Sequence, residues 1–304
     1  MIDQALARES QTTATTMDQA PSLPSEVGSH AIQTASSSPL IYRHSLPIRV
    51  SHWLNAVCLF VLIGSGLQIF NAHPALYWGN RSDRARPLLS IHSTRSDDGA
   101  VTGVTTILGH DFQTTGVLGY SDGQRRAFPA WATIPGPQWL AMGRQWHLFV
   151  AWFFVLNGLL FWAYGWISRH LTHDVIPRAH ELRTIGRSLH DHLRLKHPTG
   201  EAATRYNVLQ KLAYAGVLLV LGPLIVLTGL TMSPTIDAAW PWLLSLFGGR
   251  QGARTIHFLA CFSFVGFVLI HISQVVLTGF ANNLRSMVTG WYRVPQEDGP
   301  HAKF

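Results

Sequence analysis

Two histidines, His257 and His271, stand in a stretch, Thr255–Leu284, without a single Asp, Glu, Lys or Arg. Ionisable side chains inside so apolar a segment are rare and usually functional. Fourteen residues separate them. On a helix that spacing brings both to within about 40° of the same face and about 21 Å apart along the axis. Neutral imidazole is a metal ligand. A haem iron with one imidazole on each face is a low-spin electron-transfer centre with no open position. Two such centres at the two ends of one helix would each need a second histidine from elsewhere.

Candidates exist. His52 and His147 stand at the mouths of two further uncharged stretches, Trp53–Phe70 and Trp146–Ile167, and Leu212–Met232 is a fourth. A bilayer core needs roughly 20 apolar residues per helical crossing, so the four read as membrane spans at about 52–71, 145–167, 208–232 and 254–284. Buried helices of a large soluble core are the competing reading. Aromatic residues gather at the edges of the stretches (Tyr42, Trp53, Trp139, Trp146, Trp166, Trp240, Trp242, Trp291, Tyr292), as an interfacial belt does. The expected fold is an all-α integral membrane four-helix bundle holding two haem b groups, with a periplasmic cap at about 72–144 and a cytoplasmic amphipathic helix.

Orientation follows from loop charge. The segment 168–207 carries seven Lys and Arg, whereas 233–253 carries only Arg250. Positive charge stays inside, which places both termini and the 168–207 loop in the cytoplasm. His147 and His257 then share the periplasmic depth, and His52 and His271 the cytoplasmic one. Depth alone pairs them in that way.

Other residues fit this frame. Arg49, Arg144 and Arg254 each precede one of these histidines by three residues, one turn outward, where a guanidinium fork could meet a haem propionate; anchoring to lipid headgroups is the alternative. Gly66 and Gly158 lie on ligand-bearing faces, where a missing side chain admits a flat macrocycle or close helix packing. A polar stripe below His271, Gln274, Thr278 and Asn282, could hydrogen-bond a quinone carbonyl or a neighbouring helix. Pro223, after Gly222, should kink the third span.

The formal charge of +7 sits in loops beside the spans without a nucleic-acid motif, so membrane topology accounts for it and no nucleic-acid partner is expected. Cys58 and Cys261 lie in spans, nearer opposite faces, and neither belongs to a C-x-x-C-H, so a disulfide and covalent haem attachment are not expected. Residues 1–40 are rich in Ser, Thr, Gln, Ala and Pro and read as a disordered tail; 294–304 forms a short C-terminal tail. The first span serves as an uncleaved anchor. Between residues 71 and 145, seven arginines and many Gly, Ser, Thr and Asp suggest turns and hairpins of a small ordered cap. Leu182, Ile185, Leu189 and Leu193 recur at helical spacing among basic residues, as in a helix lying on a membrane surface. The histidines of that loop repeat no metal-ligand spacing.

The runs Tyr42-Arg43-His44 and Arg49-Val50-Ser51-His52-Trp53, the segment Gly143-Arg144-Gln145-Trp146-His147 and the stretch from Arg254 to His271 resemble the di-haem cytochrome b subunits of bacterial nickel–iron hydrogenases and formate dehydrogenases, a cytochrome b561-like group. Tyr206-Asn207-Val208-Leu209-Gln210-Lys211 and Leu227-Thr228-Gly229-Leu230-Thr231-Met232 are similar to the thiosulfate reductase branch. The resemblance covers about residues 41–293. It implies haem ligation by the four matching histidines, quinone handled near the cytoplasmic haem, a bacterial inner-membrane location and a periplasmic partner enzyme that is often a molybdopterin oxidoreductase. The long 71–145 connection departs from the compact hydrogenase pattern and leaves the partner open. A stand-alone cytochrome b561-type quinol oxidoreductase acting on a small oxidant such as superoxide is the second functional reading. A proton-coupled transporter is a third, and the lack of membrane Asp and Glu argues against it.

Overall fold

A computed structural model describes residues 39–194 and 206–294. The expected tails at 1–40 and 294–304 fall almost wholly outside them. The chain is mostly helical, and four helices are long and apolar enough to cross a membrane: Leu46–Phe70, Leu140–Ile167, Val208–Leu230 and Arg250–Leu277. Large apolar side chains on these helices point outward, with Phe60 73% and Trp152 71% exposed. Such a surface suits hydrocarbon and not water. The belt aromatics are largely exposed as well, but Tyr292 is buried, under the Arg43 guanidinium.

The first and fourth spans differ from expectation at their ends. The first starts earlier, at Leu46, with Pro47 in its opening turn, where a missing N–H costs nothing. The fourth ends at Leu277, because Gly279 takes φ +104° and starts a separate helix, Phe280–Thr289. The third span opens on a capping box between Asn207 and Gln210. A wide turn at Gly216–Leu221 precedes Pro223, a π-type adjustment that absorbs the ladder position proline leaves without a donor.

The connection between the first two spans is built of strands, so an all-α description holds for the membrane helices alone. Strands β2 (Ala75–Leu76), β3 (Leu89–Arg95), β4 (Val101–Ile107) and β5 (His110–Gln113) form an antiparallel sheet in that order. Strands β6 (Gly119–Ser121) and β7 (Gln124–Arg126) form a separate hairpin. The β-branched residues of β4 and the Gly turns favour pleated pairing here. Leu76, Ile91, Ala127 and Phe128 pack on Phe70 at the end of the first span.

At the opposite end, β1 (Leu40–Tyr42) pairs antiparallel with β8 (Trp291–Arg293). This clasp ties the entry of the first span to the exit of the fourth. The surface helix expected across Leu182–Leu193 is split: Ala179–Leu182 is one turn, and Ile185–Leu193 is a separate amphipathic helix. Glu181 explains the break. It caps its own turn through the Arg178 N–H and ion-pairs with Lys211 at 2.7 Å, which holds its carboxyl below the usual range.

Candidate functional site

The fourth span carries His257 and His271 toward two different partners. The ring centres of His147 and His257 are 6.3 Å apart, and those of His52 and His271 are 6.2 Å apart. An imidazole nitrogen binds a first-row metal at about 2.0 Å and lies about 1.1 Å from its own ring centre, so an iron between two such rings separates the centres by about 6.2 Å. Both pairs have the spacing an axially coordinated iron needs. The pairing is the one expected from depth.

Each pair is held by a different set of contacts. At the sheet-bearing end, the cap docks onto the first and fourth spans. Gln68 on the first span donates to Pro137 O at 2.7 Å, and Asn71 both receives from Phe128 N at 2.7 Å and donates to Phe128 O. Buried Arg126 gathers Phe128 O, Gly136 O, Gln68 Oε1 and Thr133 Oγ1. On the fourth span, Thr255 donates to Tyr77 O at 2.7 Å. At the far end, Arg49 reaches Val288 O and Trp53 Nε1 donates to Met287 O at 3.1 Å. Asn157 on the second span donates to Ser51 O at 3.1 Å, beside His52.

The tautomers at the sheet end follow from hydrogen-bond logic. His257 Nδ1 lies 3.0 Å from Ile225 O and 3.1 Å from Thr228 Oγ1. A carbonyl oxygen only accepts, so Nδ1 carries the proton. Ser65 Oγ lies 3.0 Å from His147 Nδ1 and donates its hydrogen to Val61 O at 2.6 Å. With that hydrogen committed, Ser65 accepts from Nδ1–H. In both rings Nε2 is left with its lone pair for a metal. Each hydroxyl residue is followed by a glycine. A Cβ at Gly66 would stand 3.4 Å from His147 Cε1, and one at Gly229 3.3 Å from His257 Cε1. The two Ser/Thr-Gly steps cradle the two rings alike.

The remaining sequence candidates are placed less simply. Arg254 is turned to the carbonyls of His73 and Ala75 and lies over Phe70, so it latches the cap. Arg49 is bonded to Val288 O, with its Nε buried and without a partner among the described residues; Arg144 is exposed. Gly158 has open space where a Cβ would point. The Gln274–Thr278–Asn282 stripe is broken by Gly279. Asn282 donates to Arg293 O at 2.7 Å and accepts from Arg293 N and Arg285, so its amide serves the β8 clasp and is not free for a quinone. Thr278 is likewise spent on Gln274 O and Asn283. Sequence reasoning missed Ser65, Thr228 and Gly229. The Ser/Thr-Gly dipeptide that recurs within the first and third spans was the available signal. It also missed Arg285, whose Nε is buried without a partner among the described residues, as are Ser51 Oγ, His52 Nδ1 and Asn55 Oδ1.

Residues 43–290 match the family described as prokaryotic cytochrome b561. The chain belongs to that family. Its membership makes it a multi-pass membrane cytochrome of the haem b type, which agrees with the four apolar helices and the facing histidines. A curated relative, described as a putative protein-methionine-sulfoxide reductase subunit, YedZ1, of Azospira oryzae, is 27% identical over 243 residues, covering 80% of this chain and 93% of that protein. No solved structure matches.

The cradle glycines of this cytochrome lead to a direct expectation. Gly229→Ala forces the His257 ring to give by a few tenths of an ångström, so haem retention should weaken, on the order of tenfold. Gly66→Ala, with its slightly longer contact, should act more mildly. Haem transfer to apomyoglobin measures both; equal retention in Gly229→Ala and the unaltered protein would mean that the ring has room to spare.

Proposed function

We propose that this cytochrome is the electron-transfer subunit of a membrane oxidoreductase, with one haem b between His147 and His257 and a second between His52 and His271. The observation that carries this reading is the pair of matched ring spacings at the two ends of one helix. When bound, each haem supplies a one-electron iron couple. Two facing histidines would hold each iron and leave no position for a substrate, which suits electron transfer and not bond chemistry. At the sheet end, Ser65, Thr228 and their glycines orient the rings. At the far end, the buried guanidinium edges of Arg49 and Arg285 suit the propionate carboxylates of the nearer haem.

Loop charge supports a bacterial inner-membrane orientation with the sheet end periplasmic and both termini cytoplasmic. The cap, latched to the first and fourth spans, supports docking of a periplasmic redox enzyme. The name of the Azospira relative supports a partner that acts on oxidised methionine in proteins; the resemblance noted from the sequence adds that such partners often carry molybdopterin. The electron source we assign is the quinone pool. With the Gln274–Asn282 stripe set aside, we place the occupant in an open cleft of about 800 Å³ bordered by Tyr42, Tyr164 and Tyr206 and by charged Arg43, Asp174, Glu181 and Lys211. Tyr206 packs on Tyr214, and Tyr214 on His271, so the cavity wall leads to that ligand. The stand-alone reading, a quinol oxidoreductase reducing a small oxidant such as superoxide, is less favoured because the cap is docked over the sheet-end entry.

Reduced-minus-oxidised spectra of the detergent-purified chain should show b-type haem at about two per polypeptide, extractable by acid acetone. A single haem, or one that stays with the protein on extraction, would refute the assignment.

A further inference from the structure

The two histidine pairs differ in what stands behind them. At the sheet end both Nδ1–H groups donate, His147 to Ser65 and His257 to Thr228 and Ile225 O. Ser65 and Thr228 are themselves completely buried and held by their i−4 carbonyls, Val61 O at 2.6 Å and Leu224 O at 2.7 Å. Neither hydroxyl is therefore free to rotate away from its imidazole. At the far end, His52 Nδ1 is buried with no hydrogen-bond partner among the described residues. His271 is instead stacked on Phe267, with ring centres 5.8 Å apart and planes 12° from parallel.

A ligand histidine that donates its second N–H is a more basic ligand. Greater electron donation favours the ferric over the ferrous iron and lowers the potential. We propose that Ser65 and Thr228 are positioning residues that fix the Nδ1–H tautomers of His147 and His257, and that they set the sheet-end haem at a lower potential than the far-end haem. The inference rests on the ligand assignment above. Each ring also has a backbone carbonyl within reach, Leu62 O for His147 and Ile225 O for His257, so each hydroxyl acts together with a carbonyl that remains when it is lost.

Redox titration of the detergent-purified holoprotein, followed by haem absorbance and by the ferric low-spin EPR signals, tests this. His257→Ala and His271→Ala first assign each signal to an end. Ser65→Ala should then raise the midpoint of the sheet-end haem alone, by up to about a tenfold change in its oxidised-to-reduced ratio, equivalent to 59 mV for one electron. Thr228→Ala should raise it as well, and Thr228→Ser should restore it. Ser65→Thr should also restore it, since the sister site already uses threonine. Loss of the sheet-end haem in Ser65→Ala, recovered in Ser65→Thr, would equally support a hydroxyl that positions the ring. Unchanged midpoints in Ser65→Ala and Thr228→Ala with full haem, or a shift of the far-end haem instead, would overturn the proposal and leave the ligand assignment standing. If His257→Ala leaves both signals intact, the assignment itself fails.

Discussion

In His257→Ala the sheet-end haem should be lost or converted to a five-coordinate form, while the far-end haem keeps its bis-histidine spectrum. His271→Ala should do the reverse. The separation follows from the helix: fourteen residues place the two ligands about 21 Å apart, too far for either vacancy to disturb the other pair. The electron path should break in two places. With His257 replaced, quinol should still reduce the surviving haem, and transfer to an acceptor at the sheet end should drop to background. With His271 replaced, quinol should fail to reduce the remaining haem, while a donor at the sheet end still does. Stopped-flow reduction at the b-haem absorbance distinguishes these results. If quinol reduction is blocked in His257→Ala and survives in His271→Ala, the quinone berth lies at the sheet end, and the cavity near Tyr206 is not its site.

Arg126→Ala should release the cap. The side chain is 4% exposed and supplies hydrogen bonds to Phe128 O, Gly136 O, Gln68 Oε1 and Thr133 Oγ1. Burial lowers the affinity of its guanidinium for the proton, yet an arginine remains charged at any physiological pH. Removing it takes the short donors from Phe128 O and Gly136 O and leaves these oxygens and Gln68 Oε1 with only the longer contacts from Asn71 and Thr133, at a cost of roughly 3 kcal/mol. Hydrogen exchange in β6, β7 and the 127–137 segment should rise, and the thermal transition should fall. Because Gln68 stands one turn beyond Ser65, the sheet-end haem should also be held less firmly. Arg126→Lys should recover only part of this, since an ammonium cannot fork to acceptors on several sides. Unchanged exchange in Arg126→Ala would show that the apolar cluster around Phe70 and Phe128 holds the cap by itself.

The four spans were legible in the sequence because a bilayer imposes a length and composition that no loop in this chain imitates. The histidine pairing was legible for the same reason, since a span converts position along the chain into depth. Where the chain leaves the hydrocarbon, that conversion stops. The fourth helix looked continuous to Leu284 because Thr278, Gly279 and Asn282 are all tolerated in a span; only the φ of Gly279 ends it, and the amides beyond it then turn to β8. Arg254 looked like a propionate ligand by its spacing from His257. Its direction was decided by the carbonyls of His73 and Ala75, which a loop remote in sequence brings within reach. The sheet in the cap is a set of non-local pairings that local composition suggests only as hairpins.

By itself the sequence determined how many helices could cross a membrane, which histidines lie at matching depths, and the sign of charge in the loops. All three depend on residue type and count along one axis. Only the tertiary structure decided that Ser65 and Thr228 stand behind His147 and His257, that two glycines open the space for those rings, and that His52 finds no such support among the described residues. Those facts depend on rotation and on the approach of neighbouring helices, and a hydroxyl's choice between its own i−4 carbonyl and a ligand on another helix is made by distances that no single helix contains.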